Sequence, residues 1–113
     1  MAIEFNDSPA GLRTVTIDGR LDITGTDAIA NRFTALAATA NRHVLVDLSR
    51  LEFLASIGIR SIISVAKALQ LRGGQMALLV EAGSRIEKTL STTGVDALIP
   101  MFTERQQAEQ ALA

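Results

Sequence analysis

The chain contains no cysteine, a single histidine, two prolines, and an aromatic fraction of only 4%. Each shortage removes a class of chemistry. Without thiols there is no disulfide, no zinc–thiolate centre and no cysteine nucleophile, a composition that suits a reducing cytoplasm. One imidazole makes a transition-metal site a poor expectation. Few aromatics mean that the core is built from Ile, Leu, Val and Ala. Charge of one sign is lacking too: 11 basic residues stand against 12 acidic ones. That balance argues against a nucleic-acid or anionic-membrane binder that relies on long-range attraction. No apolar run approaches the ~18 residues of a membrane span. The N-terminal Met1–Phe5 has neither a basic n-region nor an apolar h-region, so no signal peptide is expected.

What is present is a hydrophobic fraction of 48% in 113 residues. A chain of this length buries roughly 60–70% of its unfolded surface on folding. One core and one domain over residues 1–113 are therefore expected, with no linkers or repeats. Ile3 and Phe5, the turn Asp7-Ser8-Pro9-Ala10-Gly11, then Leu12, Val15 and Ile17 read as a hairpin. Thr24-x-x-Asp27 resembles a capping box, and Ile29, Phe33, Leu36 and Ala40 follow at helical spacing. Val44-Leu45-Val46 reads as a strand buried on both faces, which implies parallel pairing under helices. A link with Leu51, Phe53 and Leu54 leads to a second helix from about Ile57, striped by Ile59, Ile62, Ile63, Ala66 and Leu69 and stopped by Gly73-Gly74. Met76–Val80 is a further strand. Ser84-x-x-Glu87 opens a helix with Ile86 and Leu90, with Gly94 near its end. Leu98–Met101 is a short strand, and Thr103-x-x-Gln106 opens a terminal helix. The expected architecture is α/β: a mixed, mostly parallel central sheet with about four packed helices.

Catalytic constellations are nearly absent. A serine nucleophile needs a base, and His43 begins a strand whose far end is where a serine would stand; an ordinary strand-edge or turn histidine is the better reading. Neither phosphate-loop pattern occurs. Asp47 ends a buried strand, as a receiver phosphoacceptor would, but the acidic pair and lysine of receivers are missing at the matching places. Asp18 and Asp22 have no partner base and read as turn residues. No catalytic residue, metal ligand or cofactor is assigned.

The informative segment runs from Asp47 to Arg60, where Ser56 stands just before a hydrophobic helix. Two readings are open and compatible. Ser56 is either an N-cap, worth about 0.5–2 kcal/mol over alanine, or a phosphate seat favoured by free amides and the helix dipole. A phosphoryl group there brings roughly −1.5 to −2 charges.

The same segment resembles the signature of STAS domains, and especially of bacterial anti-sigma-factor antagonists: D-L-S/K, a hydrophobic pair, then D-S-S/T-G-L-G and an apolar helix. Asp47-Leu48-Ser49 matches its beginning, Ser56 takes the place of the phosphorylatable serine, and Gly58-Ile59 matches Gly-Leu. Gly19-Arg20-Leu21-Asp22 resembles the family's G-E-L-D segment, and element order agrees from Ile3 to Leu112. The resemblance implies a cytoplasmic partner-switching protein. In its unphosphorylated form it binds an anti-sigma factor that is also a serine kinase. Phosphorylation of Ser56 releases it, and a PP2C-type phosphatase resets it; neither nucleic acid nor membrane is a partner. ATP and magnesium would belong to the partner enzymes. The implied docking face comprises Asp22, Thr24, the Ser56-Ile57-Gly58-Ile59-Arg60 turn, and Gly83-Ser84. Three positions depart from the pattern: Ala55 replaces the acidic residue, Ile57 the second hydroxyl residue, and Arg60 the last glycine. Ile57 is either an apolar anchor on the docking face or a core residue. Arg60 is either a partner for a phosphate on Ser56 or a solvated charge. Ala55 favours a second reading, a STAS adaptor without phosphorylation, such as a regulatory subunit of a transport ATPase or a signalling scaffold. A third, a small α/β enzyme, lacks a base for any serine.

Overall fold

The apolar run Val44-Leu45-Val46, expected to be buried on both faces, lies at the centre of the sheet. A computed structural model describes residues 3–38 and 41–112. Strands β1 (Ile3–Asp7), β2 (Arg13–Ile17), β4 (Val44–Asp47), β6 (Met76–Leu79) and β7 (Met101–Phe102) form a five-stranded sheet in the order β1-β2-β4-β6-β7. β1 and β2 are the antiparallel hairpin, with Phe5 opposite Val15. β2–β4, β4–β6 and β6–β7 are parallel. Every residue of β4 and β6 is buried. Their side chains alternate between two apolar clusters, as the period of a strand requires. Val44, Val46, Met76 and Leu78 enter the main core, while Leu45, Ala77 and Leu79 enter a second one on the opposite face.

Helices α1 (Ile23–Phe33), α2 (Ser56–Leu71) and α3 (Arg85–Thr92) bury Ile29, Phe33, Ile62, Val65, Leu69, Ile86 and Leu90 in the main core. The short α4 (Arg105–Ala111) covers the other face with Ala108, followed by Leu112. Ile59, Ile63 and Ala66 of the expected α2 stripe are only partly buried against that core. α2 stops where a residue of positive φ is needed: Gly73 has φ +87° and its amide donates to Gln70 O (3.0 Å). The α1 pattern continues through Leu36, as expected, but as a wider π-type turn over Thr34–Ala38. That widening buries Leu36, Ala37 and Ala38 in succession. The Ala40 position lies outside the described residues.

Four boundaries differ from expectation. Leu51–Leu54 is a strand, β5, rather than a link. It pairs in parallel with β3 (Gly19–Leu21) as a separate two-stranded sheet. Asp22, not Thr24, caps α1: Gly25 N donates to Asp22 Oδ1 (2.8 Å). Glu104, not Thr103, precedes α4 and makes no side-chain cap. The last strand begins at Met101, because a 3-10 turn occupies Val95–Ala97 and leaves Leu98 exposed.

Polar ties hold the periphery. Arg13 donates twice to Asp7 (2.7 and 2.9 Å) and once to Leu36 O (3.0 Å), joining the hairpin to the π-type turn. The first of these contacts, the hydrogen bond from Arg13, holds the Asp7 carboxyl below the usual carboxylate range. Asp47 is consumed structurally. Its Oδ1 accepts from Ser49 N and Oγ (2.9 and 2.6 Å), and its Oδ2 from Arg105 Nη2 (3.1 Å), which docks α4. The D-L-S start of the signature is thus a turn whose carboxylate is engaged by three hydrogen bonds, two local and one to α4. Among the described residues, no helix is long and apolar enough to cross a membrane.

Candidate functional site

The small sheet places Ser56. Register pairs Arg20 with Phe53 and Leu21 with Leu54, so β3 and β5 run side by side and both open into helices two residues later. Ala55 is extended (φ −89°, ψ 168°), and its amide donates to Leu21 O (2.9 Å), tying the two helix mouths together. α2 then starts with Ser56 as its first helical residue. The N-cap is Ala55, whose methyl group offers no acceptor, so the capping reading of Ser56 is incorrect. Strand pairing decides this: once Leu21 holds the Ala55 amide, Ser56 falls one position inside the helix. The first main-chain bond of α2 is Ile59 N to Ala55 O (3.1 Å), and the preceding amides are those that a helix leaves without internal partners. Asp22 and Ser84 supply side-chain caps to α1 and α3; α2 has none. An acceptor restored there should stabilise the fold. Ala55→Asp is expected to raise unfolding free energy by about 1 kcal/mol, measured by urea titration.

Ser56 is exposed, and so are Thr24, Arg60 and Gly83. Ile57 is 39% exposed, which resolves its two readings in favour of an outward side chain. Asp22 is half-buried, and its Oδ2 lies 3.6 Å from Arg20 Nε. Ser84 is half-buried: its Oγ accepts from Glu87 N (3.2 Å), while Glu87 Oε1 accepts from Gly83 N (2.8 Å). α3 packs against β5, the strand that leads into Ser56.

Gly58 and Ile59 lie lower. Ile59 packs against the core. Gly58 is buried, and a Cβ on it would come within 2.8 Å of Leu21 Cβ and 3.0 Å of Leu21 O. The glycine is the point where α2 presses on β3, beneath the exposed turn rather than on it.

Three further exposed residues at or next to these helix mouths were not singled out from the sequence: Arg20, Ile23 and Phe53. Ile23 is 73% exposed and Phe53 37%, and the Arg20 guanidinium stacks 4.4 Å from the Phe53 ring centroid. The signal was the parallel pairing of Gly19–Leu21 with Leu51–Leu54, invisible while the latter read as a link. Ile23, Phe53 and Ile57 are thus exposed apolar side chains on the two helix mouths and the small sheet that carry Ser56, with an arginine laid over the Phe53 ring.

His43 is far from this chemistry, at the opposite end of β4. Its Nδ1 accepts from Gln75 N (3.0 Å) and its carbonyl from Arg13 N (3.1 Å). Among the described residues, no group of three or more His, Asp or Glu side chains is arranged to hold a metal.

A mixed sheet with three helices on one face, and an exposed serine opening the second of them, defines a known class of domain. The sequence matches the STAS domain family over residues 2–108, and the chain belongs to that family. It is 24% identical over 105 residues to BtrV of Bordetella bronchiseptica, which carries the name of an anti-sigma factor antagonist; the match covers 93% of this chain and 90% of BtrV. Its fold is similar to the crystal structure of an anti-sigma factor antagonist from Mycobacterium paratuberculosis (TM-score 0.85, 21% identity, 98% of this chain and 92% of that one). It is also similar to SpoIIAA, both as the unphosphorylated anti-sigma factor antagonist (TM-score 0.74, 17% identity, 97% and 96%) and, from Bacillus, in the phosphorylated form (0.70, 18%, 99% and 100%).

Proposed function

We propose that this protein is an anti-sigma-factor antagonist, a cytoplasmic single-domain partner switch that captures an anti-sigma factor kinase when Ser56 is unmodified. The observation that carries the reading is the exposed Ser56 at the first residue of α2, followed by the exposed Ile57, at a helix mouth tied by Ala55 N to Leu21 O to the one that carries the exposed Ile23, with exposed Phe53 on the strand before it. Exposed large apolar groups clustered on one face suit docking. Phosphoryl transfer would move the γ-phosphoryl group of ATP to Ser56 Oγ, with ADP leaving and the hydroxyl proton passing to a base on the partner. The dianion would then occupy the docking face and end capture. A PP2C-type phosphatase would hydrolyse the phosphoserine and restore the hydroxyl. The relatives named as antagonists support this reading, as does the occurrence of the fold in SpoIIAA in both phosphorylation states. This chain's own part is to bind and to be modified; ATP and its metal belong to the kinase.

The test uses wild type and Ser56→Ala as baits in lysate of the source cell, with and without ATP. Both are expected to retain a protein kinase homologous to anti-sigma factors when ATP is absent. With ATP, only wild type should gain a phosphate-sized mass and release it. Phosphate uptake by Ser56→Ala at the wild-type rate would remove the site assignment. Ala55 supports one other reading, a constitutive STAS adaptor, since the mouth of α2 lacks the acidic neighbour of the family pattern. A copurifying transport ATPase with Ser56 unmodified in the cell would favour it.

A further inference from the structure

Arg60 lies one helical turn after Ser56, and side chains four apart share a helix face with Cβ atoms about 5–6 Å apart. Both residues are exposed. The ion pairs among the described residues engage Arg13, Arg20, Arg42 and Arg105 with aspartates, and Arg60 belongs to none of them. Ser56 therefore opens a helix whose first-turn amides have no side-chain cap, and Arg60, in none of those ion pairs, follows it four residues on along the same helix face. Asp22, the carboxylate at the neighbouring helix mouth, already accepts from Gly25 N and pairs with Arg20.

We infer that Arg60 is the intramolecular clamp for a phosphate on Ser56. Guanidinium matches phosphate oxygens in a forked, charge-assisted pair, and the helix mouth adds its dipole from the other side. This assignment deepens the proposed switch and rests on Ser56 being the phosphoacceptor. Its consequence is that the modified state folds its phosphate back along α2. The face is closed by an ion pair internal to the chain, and the phosphatase must open that pair to act.

The experiment installs phosphoserine at position 56 during translation, so it does not depend on any kinase. Wild type, Arg60→Gln and Arg60→Lys are each melted with serine and with phosphoserine at position 56. With serine, the three are expected to melt within about 1 °C of one another, because an exposed unpaired arginine contributes little. With phosphoserine, wild type should melt about 3–5 °C above Arg60→Gln, Arg60→Lys should recover part of the gap, and added salt should narrow it. A phosphorylation response equal in wild type and Arg60→Gln overturns the clamp. Failure of Ser56 to acquire phosphate in lysate would instead remove the switch and leave this comparison intact, so the two ideas fail separately.

Discussion

Ser56→Asp is expected to weaken capture of the proposed anti-sigma partner by about 30-fold or more while leaving the fold at least as stable as wild type. The first turn of a helix favours a carboxylate by roughly 0.3–1 kcal/mol, so the free protein accepts the charge without strain. The complex does not. Docking over the Ser56 surface, as proposed, would take water from position 56, and a desolvated charge without a partner typically costs about 2–5 kcal/mol at an interface. Both effects act in the same direction: the substitution stabilises the unbound molecule and penalises the bound one. Titration calorimetry against the purified partner measures the loss, and Ser56→Ala is the control that should bind like wild type. Equal affinity for the aspartate variant would mean that the partner docks elsewhere.

Gly58→Val should unfold the chain more readily by about 3 kcal/mol and abolish capture with it. A β-carbon there meets Leu21 Cβ at 2.8 Å, Leu54 Cδ1 at 2.9 Å and Leu21 O at 3.0 Å. The leucine δ-carbon can swing aside; the Leu21 β-carbon and carbonyl cannot, because that carbonyl already accepts from Ala55 N. Replacing glycine inside a helix gains up to about 1 kcal/mol in propensity, whereas overpacking costs about 1–3 kcal/mol and grows with each added carbon. The clash wins. Gly58→Ala, with one carbon, should lose about half as much. Urea titrations of both variants read the difference; wild-type stability in Gly58→Val would mean that α2 does not press on β3 as closely as described.

The legible parts of the fold were those whose side-chain pattern survives in one dimension. β4 and β6 were plain because unbroken apolar runs signal burial on both faces, and α2 because Ile62 and Leu69 lie on one stripe. β3 and β5 were not. One has three residues, and the other buries Leu51 and Leu54 while Glu52 and Phe53 are exposed, so neither alternates. The caps shifted for a related reason. Hydroxyl and acidic residues recur near each helix start, and strand ends rather than local motifs select among them, as Leu21 does for Ala55. Ser56 itself was found from its segment, yet its place as first helical residue instead of cap needed the partner strand. Arg20, Ile23 and Phe53 were not singled out because the pairing that brings their two stretches together is created by the small sheet.

That small sheet also decides what a partner can recognise. Its two strands come from stretches some thirty residues apart, aligned by a parallel ladder that the hydrogen bond from Ala55 to Leu21 extends. The recognised surface is a discontinuous epitope, so synthetic peptides copying either stretch should not compete for it. A partner reading this surface would therefore count only folded molecules: nascent or misfolded chains, though they carry the same serine, would be silent to it.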